Sequence, residues 1–365
     1  MKKLIFLLLI CNTLAFSQKK YSDVYNNKPI IRTSAVYQTW RLDNIDSTIN
    51  ETTIPIEVIL PIRENISLQI YNSPAFSSFG KYELSGLSDT WIKGVYSFYN
   101  NKMMVSCGIG LPTGKADLDG KSAEMASVLS QNIFKFRMPV LGQGISGSFG
   151  YGMSHALSQN MAIGAGFNFI FQGEYKFMNY NFDPGNQYGM NVGLDYSVTP
   201  ALKLSFDLLS NFYLADKINV AEYKSDPKVS SLLNIIYFRG NNLLWVMGRL
   251  RKTSRSETSF GTTVFPDSAN SNITEMELEA FYRMNFSPAF SLDIIFDGRS
   301  YIENKFGLGQ ADIFGGGIRS IFEITPKIKC NLMAKFFVGD TYFRREGLIL
   351  STTGIELMFG TIYHL

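Results

Sequence analysis

The chain has 365 residues, of which 45% are hydrophobic, 14% aromatic and 18% charged, with a formal net charge of +3. So small a charge argues against a nucleic-acid partner, whose phosphates call for a basic face. The two histidines, His155 and His364, allow no Ser/His/Asp arrangement and no histidine-based metal spacing, so neither an enzyme nor a cofactor is expected.

Residues 1–17 read as a secretory signal. Lys2 and Lys3 precede the apolar run Leu4 to Cys11, and the small residues Ala15 and Ser17 fit the cleavage positions before Gln18. The run is too short for a spanning helix of about 20 residues, and Ile10 ahead of Cys11 does not suit lipidation. With the signal gone, two of the 34 basic residues leave, against 31 acidic ones. Residues 18–32 read as a short periplasmic lead-in and 33–365 as one barrel domain.

Behind the signal, segments of about ten residues alternate apolar and polar, the rhythm of transmembrane β-strands. Met103, Val105, Cys107, Ile109 and Leu111 form one such set, and Leu202, Leu204, Phe206 and Leu208 another, set against Lys203, Ser205 and Asp207. Met276, Leu278, Ala280, Tyr282 and Met284 alternate with Glu275, Glu277, Glu279 and Arg283. Phe290, Leu292, Ile294 and Phe296 alternate with Ser291, Asp293 and Asp297. Ile328, Cys330, Leu332, Ala334 and Phe336 follow. Ile355, Leu357, Phe359, Thr361, Tyr363 and Leu365 then carry the alternation to the last residue. Cys107 and Cys330 sit in the apolar register and read as lipid-facing hydrophobes.

Short turn signals punctuate the chain: Arg63-Glu64-Asn65, Asn100-Asn101, 155–160, Thr199-Pro200, Gly240-Asn241-Asn242, Ser287-Pro288 and Thr325-Pro326. Longer polar stretches separate them at 44–52, 73–87, 112–142, 176–187, 211–228, 253–271, 299–311 and 340–349. Short turns alternating with long loops predict an all-β, antiparallel up-and-down outer-membrane barrel, with periplasmic turns, extracellular loops and both termini periplasmic. The count is about sixteen strands. Fourteen stays open, because 33–43 and 313–324 alternate poorly.

One segment is more specific. Gly86-Leu87-Ser88-Asp89 opens a strand, and one hairpin later a strand ends in Leu111-Pro112-Thr113-Gly114. This resembles the outer-membrane barrel family associated with the meta-cleavage pathway of phenol degradation, with its Gly-x-Gly-Asp strand start and Leu-Pro-Thr-Gly strand end. Ser88 stands where that family often has glycine, and Leu141-Gly142-Gln143-Gly144 is a partial echo. The resemblance implies passage of small apolar or aromatic molecules. By turn chemistry alone, Pro112 cannot donate to the ladder and Gly114 lets the loop swing away.

The alternation points Glu275, Glu277, Glu279, Arg283, Asp293 and Asp297 into the lumen, with Arg249, Arg251 and Arg319 on the flanking strands. Such rows form either cross-strand ion ladders or a constriction that selects by charge. Across 144–154, 161–175 and 187–198 the inward residues are small: Ser146, Ser148, Gly150, Gly152, Ala162, Gly164, Gly166, Gly189, Asn191 and Gly193. Within loop 112–142, Lys121 to Gln131 favours a short helix, which either folds into the mouth as a gate or lies over the rim. The expected function is a passive channel or facilitator for small solutes, embedded in outer-membrane lipid. The alternative is a non-transporting barrel serving as an accessory subunit to other outer-membrane proteins.

Overall fold

The computed structural model describes residues 28–43, 45, 47–115, 117–137, 142, 144–177, 180–219, 221–260, 263–267, 273–304, 308–343 and 347–365. The expected signal, the lead-in up to residue 27, and Leu141 and Gln143 of the family-like echo lie outside them.

The alternating segments pair as sixteen antiparallel staves that close into a barrel. The chain opens with β1 (Ile30–Leu42). Three broken staves follow: β2 (Ser47–Thr53) with β3 (Ile56–Arg63), β4 (Ile66–Asn72) with β5 (Pro74–Phe79), and β6 (Tyr82–Leu87) with β7 (Thr90–Phe98). After β8 (Met103–Leu111) a long loop carries β9 (Asp117–Leu118) and helix α1 (Gly120–Leu129). Then come β10 (Ser146–Ala156), β11 (Met161–Gln172), β12 (Tyr175–Phe177), β13 (Tyr180–Asp183), β14 (Gln187–Ser197) and β15 (Leu202–Tyr213). These lead into β16 (Asp216–Ile218), β17 (Ala221–Lys224), β18 (Lys228–Arg239), β19 (Asn242–Thr253), β20 (Ser256–Phe260) and β21 (Thr263–Asp267). The final staves are β22 (Thr274–Ser287), β23 (Phe290–Ile302), β24 (Ala311–Thr325), β25 (Ile328–Phe343) and β26 (Leu348–His364).

Closure is made by β1, which pairs with β26 from Ile30↔His364 to Leu42↔Thr352. Its other edge pairs with β3 and then with β2. No backbone edge is then left to face lipid along the closed wall, which is what a bilayer demands. The outward set (Ile294, Phe296, Leu332, Phe336, Leu357 and Phe359) is exposed, and the inward residues between them are buried or half-buried. Cys107 and Cys330 are free thiols, Cys107 exposed on the outer face and Cys330 partly so.

The seven predicted turns connect staves at one end, here called the turn end. Tyr99, Asn100 and Asn101 make theirs with three consecutive positive φ angles of 50°, 55° and 61°, a conformation asparagine tolerates well. At the opposite, loop end, short strands rise above the wall as a second sheet in the order β21-β20-β17-β16-β13-β12-β9.

The structure corrects two loop expectations. Residues 44–52 are mostly strand β2, paired with β1 and β5. Residues 73–87 are not a polar loop but the hairpin β5–β6, closed by a tight turn at Gly80. They are the upper halves of staves interrupted at one level, where Pro55, Ser73 and Ser88 fall. Proline cannot donate to a ladder, and the notch is restitched by Ile54 N–H to the Pro74 carbonyl at 3.0 Å and Ser88 N–H to the Ser73 carbonyl at 2.9 Å. The two doubtful segments are both staves, β1 and β24. Their alternation is blurred because Val36, Trp40, Leu42 and Ile313 face inward onto protein instead of water.

Candidate functional site in the lumen

The loop after β8 folds back onto the inner wall at the loop end. Asp119 caps α1 by accepting the Ser122 N–H at 2.7 Å, and this hydrogen bond holds its carboxyl below the usual carboxylate range. The helix packs against β5 and β6 and buries Ala123, Met125, Val128 and Leu129. A single 3-10 turn, Asn132–Phe134, follows, and Lys135 ends it in the left-handed region at φ 51°. Residues 119–137 thus form a plug whose apolar side joins a core with Leu42, Ile49, Phe79, Leu84, Ile313 and Phe343.

The centre of that core is an aromatic cluster. The Phe134 and Phe337 rings each lie 5.1 Å from the ring of Trp40. Trp40 pairs in register with Gly354, and Phe337 pairs with both Gly354 and Gly315. The rings lean over these glycines so closely that a Cβ at Gly354 would come within 2.5 Å of the indole.

Around the aromatics lies a network of buried charge. Lys135 Nζ sits 2.8 Å from Glu277 and 2.6 Å from Glu279. Arg249 pairs with Glu277 and Arg251 with Glu275, directly across the β19–β22 register. Arg299 forks onto Asp297 at 2.9 and 3.0 Å, and its guanidinium lies 4.9 Å from the Phe337 ring. Arg137 donates to Glu356 at 2.7 Å from its side chain and to Glu51 at 2.8 Å from its backbone. Lys335 bridges Asp297 and Glu356, at 3.5 Å from each. Toward the turn end a separate cluster forms: Arg283 forks onto Asp293 at 2.6 and 2.8 Å, and Arg319 donates to the same carboxylate at 2.5 and 2.7 Å. Buried charges persist only when paired in this way.

All nine charged residues picked from the sequence line the lumen, and the structure divides them into two layers. Arg249, Arg251, Glu275, Glu277, Glu279 and Asp297 meet the plug or its neighbours; Arg283, Asp293 and Arg319 form the lower cluster. Sequence reading missed Lys135, Arg137, Arg299, Lys335, Glu51 and Glu356. Three of these carried a signal: Glu356 stands between outward Ile355 and Leu357, Lys335 between outward Ala334 and Phe336, and Arg299 shares the inward register of Asp297. Lys135 and Arg137 lie outside any periodic strand, so nothing local announces them.

The family-like residues meet each other. Asp89 Oδ1 accepts the Gly114 N–H at 3.0 Å. Thr113 Oγ1 donates to the Ser88 carbonyl at 3.0 Å and accepts the Thr90 N–H at 2.9 Å. Leu111 ends β8 opposite Thr90, Pro112 follows it, and Gly86 lies in β6 just above the notch. The motif clasps the start of the plug loop to the interrupted stave.

On β10, β11 and β14 the expected small residues do face inward, and Asn168, Ile170, Gln172, Gln187 and Asp195 share that inward register. Gly164 faces Gly193 and Gly166 faces Asn191 across the ladder. His155 and His364 lie at the turn end on staves well separated around the wall. Among the described residues no group of three or more His, Cys, Asp or Glu side chains could hold a metal ion.

No family model matches the chain, and no curated protein matches it in sequence. Solved structures do match in fold. Pseudomonas putida OprB aligns with a TM-score of 0.51 at 8% identity, covering 94% of this chain and 96% of that one. The TodX monoaromatic hydrocarbon channel (a deltaS2 mutant) gives 0.48 at 9% identity, over 93% and 91%. The anion-selective porin from Comamonas acidovorans gives 0.46 at 10%, over 92% and 98%. At such identities the likeness establishes an outer-membrane β-barrel fold.

Proposed function

We propose that this barrel is a passive outer-membrane channel for small solutes, narrowed at its loop end by the plug 119–137. The carrying observation is the asymmetry of the inner wall. The plug and its charges pack on the side of β1, β5, β6 and β22–β26, while the inward residues of β10, β11 and β14 are mostly glycine, serine, alanine and uncharged amides. Paired cations and carboxylates at the plug make a constriction that sorts permeants by charge as well as by size. On this reading the turns and both termini are periplasmic. The resemblance in 86–114 implies apolar or aromatic permeants, whereas the polar lining beside the plug favours hydrophilic ones.

Liposome swelling tests the reading. Vesicles carrying the folded protein should swell in isotonic solutions of small solutes, at rates that fall with solute size. Vesicles no more permeable than protein-free controls, with the barrel verified as folded by heat-modifiable mobility, would remove it.

A further inference from the structure

Beside the plug, at the loop end of the lumen, lies a cavity of about 330 Å³. That is at the lower end of the range for small-molecule sites, about 300–1,000 Å³. Its wall is contributed from three directions. Ser130 to Ile133 come from the plug, Tyr223 from the sheet above the barrel, and Lys228, Thr253, Glu275, Tyr301 and Thr341 from five different staves. A site assembled from the plug, the wall and the overhead sheet exists only in the folded barrel with its plug seated.

Two hydroxyls give the cavity its chemistry. Tyr301 is 7% exposed and Thr341 1% exposed, and neither the Tyr301 hydroxyl nor Thr341 Oγ1 has a hydrogen-bond partner among the described residues. A buried hydroxyl left unpaired is unfavourable, and both side chains line the same space. A ligand that both donates and accepts would satisfy them together.

The remaining lining narrows the class. Gln131 and Asn132 bring amides and Ser225 and Thr253 hydroxyls able to donate and accept, while Ser130, which donates to the Ser127 carbonyl, brings an acceptor. Tyr223, Tyr301 and Tyr342 supply aromatic faces, which suit a ligand with one apolar and one polar side. The charges at the site are already engaged: Glu275 is paired with Arg251, and the Lys228 ammonium lies 5.1 Å from the centroid of the Tyr213 ring. An apolar aromatic ligand would leave the two hydroxyls unpaired, and the opposite charges of Glu275 and Lys228 in one lining favour neither an anion nor a cation.

We infer that this cavity is a binding site for a small neutral polyhydroxylated solute, a monosaccharide or short saccharide, at the entrance of the channel. The inference rests on the channel reading for its place in a permeation path, but the binding itself does not depend on conduction. It therefore makes hydrophilic, hydroxyl-rich molecules the permeant class.

The test is calorimetric titration of the detergent-solubilised full barrel with D-glucose and maltose, with glycine and toluene as comparisons. Wild type should bind at least one of the two sugars in the millimolar range and neither comparison compound. Tyr301→Phe and Thr341→Val each remove one hydroxyl at nearly constant shape, and each should weaken sugar binding by about tenfold, the equivalent of one lost hydrogen bond. Both variants are first checked for heat-modifiable mobility, and either one alone suffices. Absence of sugar binding, binding unchanged in a folded variant, or binding of glycine or toluene in place of sugar would overturn the inference. Sugar binding by a barrel that fails to swell liposomes would uphold the site while removing the channel reading. Swelling without sugar binding would do the reverse.

Discussion

Arg299 on β23 donates from Nη1 to the carbonyl of Ile133 in the plug at 2.5 Å, across 166 residues of sequence. The same guanidinium forks onto Asp297, so one buried side chain ties the plug to the wall. Replacing it with methionine leaves the buried Asp297 carboxylate with Lys335 alone, at 3.5 Å, and strands the Ile133 carbonyl. Removing one partner of a buried pair is worth about 3–5 kcal/mol. Arg299→Met should therefore unfold at markedly lower urea, and limited proteolysis should cut the 112–142 loop sooner than in wild type. Equal resistance on both counts would mean that the arginine does not hold the plug.

Gly354 is the second point of strain-free contact that a small change should break. A Cβ there would lie 2.5 Å from the Trp40 ring, which is itself packed between Phe134 and Phe337. Gly354→Val should cost about 1–3 kcal/mol by overpacking. It should also change the tryptophan emission, since Trp40 would have to move. An unchanged midpoint and spectrum would place the ring elsewhere.

The lipid-facing assignment has a direct test on β23. Ile294 is 52% exposed and near the middle of its strand, whereas neighbouring Asp293 is fully buried between Arg283 and Arg319. Ile294→Arg should cost roughly 2–4 kcal/mol in a bilayer. Asp293→Arg is no neutral control, because it would set three cations together, so the lumen control is Ser148→Arg on the small-residue wall. Folding yield into vesicles, read by gel mobility, should drop for Ile294→Arg and hold for Ser148→Arg.

Asp119 makes the plug sensitive to acid. Its carboxyl is held below its ordinary value by the Ser122 N–H, so the folded form binds a proton less readily than the unfolded form. The cap therefore contributes at neutral pH, and the contribution fades as pH falls below about 4, the unfolded carboxylate range. Hydrogen-exchange protection factors in α1, taken against the intrinsic exchange rate at each pH, should fall over that interval in wild type. In Asp119→Ala they should already be low and should not change with the protonation of a cap.

Strand alternation carried most of the fold. Wherever one face of a stave meets lipid and the other meets water, as in β22 and β23, the residues on each face are readable directly. Legibility failed where that contrast was lost. In β1 and β24 the inner face packs on protein, Trp40 and Ile313 in the plug's core and Val36 against Met333 and Met358, so these residues are apolar on the side expected to be polar. Hairpin β5–β6 reads as a loop because Ser73, Pro74, Ser77, Ser78 and Gly80 carry loop composition, although long-range pairing with β2 makes it strand. The same limit applies to the site. Glu275, Glu277 and Glu279 announce themselves by register, but their partner Lys135 lies 144 residues from Glu279 in a segment without period. Only the folded barrel brings the two together.

The central claim is that this barrel conducts through a lumen narrowed by the plug, and single-channel recording in planar bilayers tests it most directly. Purified, folded wild type should give discrete ohmic steps. Lys135→Met, which removes the cation between Glu277 and Glu279, should give larger or noisier steps as the plug loosens. Bilayers that stay silent for both proteins, with insertion of folded barrels verified, would contradict the account.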